Sequence, residues 1–376
     1  MKILLICHSL RIKSEWLFRL LENYQEEIAC IVTNEPDSNR ISWKQELLNP
    51  YHAKIIRRLD ENLNRKYLYP YLISKVEGEY WTTVNYIHFI GVALKVKEFI
   101  KESQNPSIIH CHGKDVMWDL LDSKGNAFHS QNYFDELKEI SHTAFFIANS
   151  TFTKNQLLLQ DIPEERIFIN HFGKNVEPIY KKEEGGKFKI LYLGRLVDFK
   201  GPIEVIEAFE QACEMGVDAE LIMAGGGELE EECYSRVKSS KYSERIDLLG
   251  WVNKEEAENL YRSSDIFTAH NKKDQYTNQV EAFGVTIIEA MSYGLPVITG
   301  CSAGVKDSVV HNETGFLIEP GDINTHAQKF YDLFMDDDLR KKMGENARNR
   351  IQEYFSPAKE KEGFKNIVRK ITEYAN

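Results

Sequence analysis

Short apolar runs alternate with stretches of helical periodicity along this chain, and that alternation restricts the fold more than any other feature. In the first half the runs are Lys2–Cys7, Ile28–Thr33, Val84–Phe89, Ser107–Cys111, Ala144–Ala148 and Ile167–His171, separated by amphipathic segments such as Val92–Ile100. Polar residues or glycine close each run. Strands separated by helices pair in parallel, in a sheet that helices cover on both faces. Residues 36–80 are less regular and are expected to add helices. The polar, glycine-ended stretch Lys181-Lys182-Glu183-Glu184-Gly185-Gly186 interrupts the pattern and marks a linker. The alternation restarts with Phe188–Leu193, Ala219–Ala224, Ile246–Leu249, Ile266–Ala269, Pro296–Thr299 and Gly315–Ile318. Within it, Pro202–Met215 is a marked helix: Pro202 suits the first position, Ile203, Ile206 and Phe209 share a face, and Gly216 ends it. A length of 376 residues suits two domains. The expectation is an α/β chain of two Rossmann-like, doubly wound domains, residues 1–180 and 187–356, facing across a cleft, with a helix at 357–376 packing back toward the first. Ligands of such sheets bind beyond the carboxyl ends of the strands.

Composition narrows the function. Apolar residues make up 42% and charged residues 28% of the chain, so disordered, collagen-like and disulfide-scaffold classes are excluded. Lys plus Arg number 47 against 58 for Asp plus Glu, a formal charge of −11, and a duplex nucleic-acid partner would need a cationic face instead. The charge is uneven: residues 1–178 carry a net −2 and residues 179–376 a net −9, which makes the first half the better match for an anionic surface or acceptor. Arg57, Arg58, Arg65 and Lys66, followed by Tyr67, Tyr69 and Tyr71, either add to that or form a solvated helix face. Cysteines at 7, 30, 111, 213, 233 and 301 have no CxxC spacing and suit a reducing compartment. The run Met1–Cys7 is too short for a signal-peptide core, and no run approaches the roughly 18 apolar residues of a membrane span. A cytoplasmic protein is expected. Peripheral contact with the inner membrane surface, and the oligomeric state, stay open.

Two segments of the second half carry chemistry. The run Ile190–Leu193 leads into Gly194-Arg195-Leu196-Val197-Asp198-Phe199-Lys200-Gly201-Pro202. Glycine at a strand end lets a ligand approach the backbone. Arg195 offers a planar fork and Lys200 a point charge beside a helix start, a combination that suits a diphosphate, although two basic residues on a loop also make surface salt bridges. The second segment is Glu281-Ala282-Phe283-Gly284-Val285-Thr286-Ile287-Ile288-Glu289-Ala290-Met291-Ser292-Tyr293-Gly294-Leu295-Pro296-Val297. Its loop runs into a helix whose first N–H groups, at Phe283–Thr286, can receive a phosphate. Glu289 can accept two hydroxyl protons, as from a ribose, and Glu281 precedes the loop, nearer a reacting centre.

Gly194-Arg195-Leu196 with Lys200-Gly201, Ala224-Gly225-Gly226-Gly227, Leu249-Gly250, the Glu281 and Glu289 pair, Gly294-Leu295-Pro296-Val297 and Asn312-Glu313-Thr314-Gly315-Phe316-Leu317 follow one another in an order that resembles family 4 retaining glycosyltransferases of the GT-B fold. That resemblance spans about residues 187–322. It implies that Arg195 and Lys200 hold the donor diphosphate, that Glu289 binds the ribose, and that Glu281 sits by the transferring sugar, with Phe283, Gly284, Val285 and Thr286 on sugar and phosphate. It adds Gly227 to the donor site and places Trp251 and Val252 at the base, although Trp251 could equally be core. The first half is similar more loosely. Tyr86-Ile87-His88-Phe89 and then Pro106-Ser107-Ile108-Ile109-His110-Cys111-His112-Gly113-Lys114-Asp115 look like the family's strand, helix and strand ending in a His-Gly-x-Asp turn.

That alignment makes His112 the active-site histidine, with His129 as its rival, and sends His110 the other way or into the core. Ser14-Glu15 resembles a segment on the acceptor side. His8-Ser9-Leu10-Arg11 stands where the family often has a glycine-rich loop, Asp307 where it usually has Glu, and Ala269-His270 where Pro-Ser is common. The implied reaction moves a sugar from a nucleotide-sugar (UDP- or GDP-sugar) to a saccharide or lipid-linked acceptor, with retention and without a required cofactor or metal, in polysaccharide or glycoconjugate biosynthesis. A nucleotide-sugar epimerase and an inactive nucleotide-binding partner subunit are the alternatives. A zinc site of His110, His112 and His129 is disfavoured because no cysteine is spaced to complete it. Asp336-Asp337-Asp338 is expected to cap the following helix.

Overall fold

The computed structural model describes residues 3–9, 28–35, 83–178 and 186–374. All twelve apolar runs form strands. In the first sheet β1 (Ile3–Ser9), β2 (Ile28–Glu35), β3 (Val84–His88), β4 (Ser107–Cys111), β5 (Phe145–Ala148) and β6 (Ile167–Ile169) are ordered β2-β1-β3-β4-β5-β6. In the second, β7 (Phe188–Leu193), β8 (Ala219–Ala224), β9 (Ile246–Gly250), β10 (Ile266–Thr268), β11 (Val297–Gly300) and β12 (Gly315–Ile318) are ordered β12-β11-β10-β7-β8-β9. Every pairing between these strands is parallel. Continuous burial of β3, β4 and β5 explains why their sequences are unbroken apolar runs.

The order of the second sheet reverses between β7 and β10, which is the dinucleotide-fold arrangement with its crevice at that switch. The loops after β7 and β10 carry Arg195, Lys200 and Glu281, so topology alone brings the two chemical segments to one place. In the first sheet the reversal lies between β1 and β3. One of its faces packs Leu4, Ile6, Ile87, Ile109 and Phe146; the other packs Ile3, Leu5, Tyr86, Ile108 and Phe145 against Phe364, Ile367, Val368 and Ile371 of the helix Pro357–Tyr374.

The chain divides into two compact units. One takes Met1–Trp118, Ala127–His171 and Glu360–Asn376; the other takes Asp119–Asn126 and Phe172–Lys359. The short excursion belongs to the second unit because Leu121 N–H donates to the Thr277 carbonyl (2.9 Å), Asn278 donates to the Asp119 carbonyl (2.9 Å), and Lys273 pairs with Asp119 (2.7 Å). The expected linker lies outside the described residues except for Gly186, as do residues 36–80 with the basic and tyrosine cluster. Cys111, Cys213 and Cys233 are buried free thiols, and Cys301 is a half-buried one. Asp336 caps the helix Asp337–Tyr354, its carboxylate accepting the Leu339 N–H at 2.9 Å, as expected. Among the described residues no helix is long and apolar enough to cross a membrane.

Candidate active site

The loop after β7 is built on close backbone approach. A Cβ on Gly225 would lie 1.9 Å from the Gly194 carbonyl oxygen, and one on Gly227 2.4 Å from that of Leu196. Gly225 and Gly227 therefore let this loop lie against residues 194–196, where Leu196 N–H reaches the Gly226 carbonyl at 3.0 Å. A tight turn, Asp198–Lys200, then ends at Gly201, whose φ of 62° is left-handed, and Pro202 opens the helix Pro202–Glu214. Phe199 is buried, and its ring lies 5.3 Å from the Arg195 guanidinium and 5.8 Å from the Lys200 ammonium. The buried aromatic thus aims both cations.

A second segment pins this loop. His270 N–H donates to the Lys200 carbonyl and Lys272 N–H to that of Phe199, both at 3.0 Å. The Lys272 ammonium sits between Asp198 (2.8 Å) and Glu204 (2.6 Å). His270 itself is anchored by a chain whose protons can be assigned. Gly321 N–H donates to His270 Nε2 (2.8 Å), so the neutral ring carries its proton on Nδ1 and donates to His326 Nδ1 (2.9 Å). His326 Nε2 then donates to Thr268 Oγ1 (2.8 Å), whose hydroxyl donates to the Ile298 carbonyl (3.1 Å). Burial holds both imidazoles below the usual histidine range, His326 strongly so. Residue types alone gave no signal for this brace: Lys272 is one of two adjacent lysines on a loop, and the two histidines lie far apart in the chain.

Lys200 forms an ion pair with Glu281, each side chain 15% exposed. Glu281 Oε1 also accepts the N–H of Gly284 (3.0 Å) and, at 3.5 Å, of Phe283. Burial pushes its carboxyl up, but the charge and hydrogen bond of Lys200, with those two N–H groups, outweigh it and hold the carboxyl below the usual range. Two of the four N–H groups expected to receive phosphate are thus used by Glu281. Helix geometry leaves those of Val285 and Thr286, the first residues of the helix Val285–Ser292 and both half-buried. The Phe283 side chain is core, packed on Phe172 and Phe355, so any ligand contact at this position falls to its backbone. Glu289 is half-buried, and the Tyr261 hydroxyl donates to its Oε2 at 3.2 Å.

Gly304 supports this loop from behind. Its N–H donates to the Glu281 carbonyl (3.0 Å), and a Cβ there would lie 1.7 Å from the Ala282 carbonyl oxygen. Gly304→Ala is expected to cost about 1–3 kcal/mol or more by forcing the 281–284 backbone outward, and to weaken nucleotide binding at the same time. Urea melts and nucleotide titrations of the variant check both; wild-type behaviour in each would mean that the loop gives way freely.

Trp251 is 74% exposed, which removes the core alternative. Its Nε1 lies 2.4 Å from where a Gly226 Cβ would be, so the indole rests against the glycine loop, and Val252 beside it is half-buried.

In the first unit, the turn after β4 is clamped by Asp115, whose Oδ1 accepts the His112 and Gly113 N–H groups at 2.9 Å and whose Oδ2 accepts that of Ile90 at 3.3 Å. His112 Nε2 lies 2.8 Å from His88 Nδ1, and its ring stacks on His110 at 4.5 Å. This corrects the expectation that His110 points away: residues two apart share a strand face, and His110, though buried, stays beside His112. Phe89 next to them has a φ of 71°, rare for a bulky residue. Burial, then His110 and His88, hold His112 well below the ordinary histidine range. His129 is not part of this group. Its Nε2 meets the Lys114 carbonyl (2.9 Å) and its ring packs on Tyr133 (4.2 Å). Ser14 and Glu15 lie outside the described residues.

Solved structures share this architecture. A Rickettsia africae glycosyltransferase has a TM-score of 0.74 at 19% identity, over 99% of this chain and 98% of that one. Anabaena HepE in complex with UDP has a TM-score of 0.71 at 17% identity, over 98% and 100%. The fold is GT-B. Residues 176–350 match the family model for glycosyl transferases group 1. Over 230 residues the chain is 29% identical to the capsular polysaccharide biosynthesis glycosyltransferase CapM of Staphylococcus aureus, covering 56% of this chain and 57% of that protein. Over 196 residues it is 27% identical to the N-acetyl-alpha-D-glucosaminyl L-malate synthase of Bacillus anthracis, covering 52% and 49%. The chain thus spans about half the length of these two curated relatives. The family match thus covers a little under half of this chain, and the solved structures show its fold.

Proposed function

We propose that the protein transfers a sugar from a UDP- or GDP-sugar to a saccharide or lipid-linked saccharide hydroxyl, with retention of configuration, in the assembly of a surface polysaccharide or glycoconjugate. One observation carries this reading: Lys200 and Glu281 meet at the switch point of the second sheet, beside Arg195 and the start of the helix that bears Glu289. Departure of a nucleoside diphosphate builds negative charge on its distal phosphate. Arg195, Lys200 and the N–H groups of Val285 and Thr286 are placed in advance to meet that charge, which is where electrostatic preorganisation acts most strongly. Glu289 takes the ribose hydroxyls, and the exposed Trp251 face offers a platform for the base.

Glu281 is held as a carboxylate with one oxygen on Lys200 and the other on backbone N–H. That engagement argues against Glu281 as a nucleophile and favours attack by the acceptor on the leaving-group face, with the diphosphate taking the proton. His112 is assigned to the transferring sugar. No cofactor or metal is required in this scheme. The protein would work in the cytoplasm, with any membrane contact peripheral. The relatives named above are described as transferring or joining enzymes, which favours transfer over an epimerase or an inactive subunit.

Thermal melting with UDP, GDP and ADP tests the donor site. At about 100 times its dissociation constant, a bound nucleotide adds about 2.7 kcal/mol, a rise of several degrees. The expected result is stabilisation by one of UDP and GDP that is lost in Arg195→Ala. No shift with any of the three would overturn the assignment. Product made with the matching sugar nucleotide should keep the donor's anomeric configuration by NMR; inversion would refute the mechanism.

A further inference from the structure

Strands β3 and β4 run side by side with His88 opposite His110. At their carboxyl ends the imidazoles of His88, His110 and His112 gather on one face, with ring centroids 4.5–5.3 Å apart. One ring nitrogen from each lies within 4.8 Å of the other two, and among the described residues no other group of three His, Cys, Asp or Glu side chains meets that condition. We propose that His88, His110 and His112 bind a divalent transition cation of the zinc type, and that occupancy withdraws His112 from turnover. The second half rests on the reading of His112 given above; the binding site does not.

Imidazole is a preferred donor for zinc and its neighbours, and three histidines with a fourth position left open form a complete protein ligand set. Zinc–nitrogen bonds of about 2.0–2.1 Å in a tetrahedron put ligand nitrogens roughly 3.3 Å apart. His88 Nδ1 and His112 Nε2, now 2.8 Å apart, would separate slightly as His110 closes in, a matter of side-chain rotation.

The outer shell also fits. The Tyr86 hydroxyl holds His110 Nδ1 at 2.6 Å, which assigns Nε2 to the metal and supplies the second hydrogen bond that ligating histidines almost always make. Two ligands stand on buried strands, and the third is on a turn fixed by Asp115, so binding needs little backbone reorganisation. His112, the half-buried member, gives the cation its way in.

The full chain is titrated with Zn²⁺ against a chromophoric chelator, and with Co²⁺ for its visible absorption. One equivalent of Zn²⁺ and an intense tetrahedral Co²⁺ spectrum are expected. Tyr86→Phe should weaken Zn²⁺ binding about 10–100-fold through the lost outer-shell bond, and His88→Gln about tenfold or more. His142→Gln, at an exposed histidine outside the cluster, should leave it unchanged. If His88→Gln fails to fold, Tyr86→Phe, which only removes a hydroxyl, decides. Absence of a bound equivalent in wild type, or wild-type affinity in Tyr86→Phe, would overturn the site. Zn²⁺ binding together with an active His112→Ala would keep the site and remove the claim about turnover. An inactive His112→Ala in a protein that binds no Zn²⁺ would remove the site, and the withdrawal of His112 with it, and would leave only the proposed role of His112 in turnover.

Discussion

Lys200→Ala should lower kcat/KM by about 10²–10³-fold, the usual loss when one preorganised donor to a developing negative charge is removed. It should also destabilise the second unit by about 3 kcal/mol, toward the low end for breaking a buried ion pair. The low end is expected because Glu281 would keep its hydrogen bonds from Gly284 and Phe283 after losing its cation. The two losses can be separated. Lys200→Met combined with Glu281→Gln removes both charges, and replacing a whole buried pair is often neutral for stability. The double variant should therefore melt near wild type and remain inactive. Denaturant melts and initial rates with the matching sugar nucleotide check both. A single variant that melts like wild type would mean that the pair is solvated, and a double variant that regains turnover would mean that Lys200 does not meet the donor.

Acid should begin to destabilise the second unit above the range of carboxylate titration. In an unfolded chain His270 and His326 would charge near pH 6.5, but in the fold burial keeps them neutral to lower pH. The unfolded state therefore takes up protons first. Stability is complete above about pH 6.5 and falls below it, toward the depressed native values, by about 1.4 kcal/mol per pH unit for each histidine. The two losses add, and His326, whose value burial lowers further, contributes over the wider pH range. Protonation also breaks the assigned chain, because a charged His270 can no longer accept from Gly321 N–H. Since His270 holds the Lys200 carbonyl, nucleotide binding should weaken along the same pH course. Urea midpoints from pH 7.5 to 5, with His326→Gln as a flatter control, test this; a flat profile in wild type would refute it.

The strands were legible because buried parallel strands must be continuous apolar runs, and their ends moved by only a residue or two. Phe89 left its run because its left-handed φ turns the chain out of β3. The helix expected over Val92–Ile100 is two short helices, Ile90–Lys95 and Lys97–Glu102, broken at Val96. Site residues were legible as types and not as partners. Lys200 and Glu281 each stood out, but their pairing depends on sheet order, which places β10 beside β7. His88 was hidden for the same reason: within one apolar run it has no neighbour to suggest a role, and only the register with His110 gives it one. For Phe283 the motif says where the backbone goes, while the size of the side chain sends the ring into the core.

The helix Pro357–Tyr374 covers a face of the first sheet that includes Tyr86, Ile108 and Phe145. During synthesis the strands of that sheet leave the ribosome early, yet the residues this helix covers lack it until Pro357–Tyr374 emerges. The second unit, almost contiguous over Phe172–Lys359, can be complete before then. A truncation after residue 356 would leave the same aromatic and aliphatic surface in water, where it would favour aggregation over folding. Chaperone dependence of nascent chains should thus persist until the eighteen-residue helix Pro357–Tyr374 has emerged.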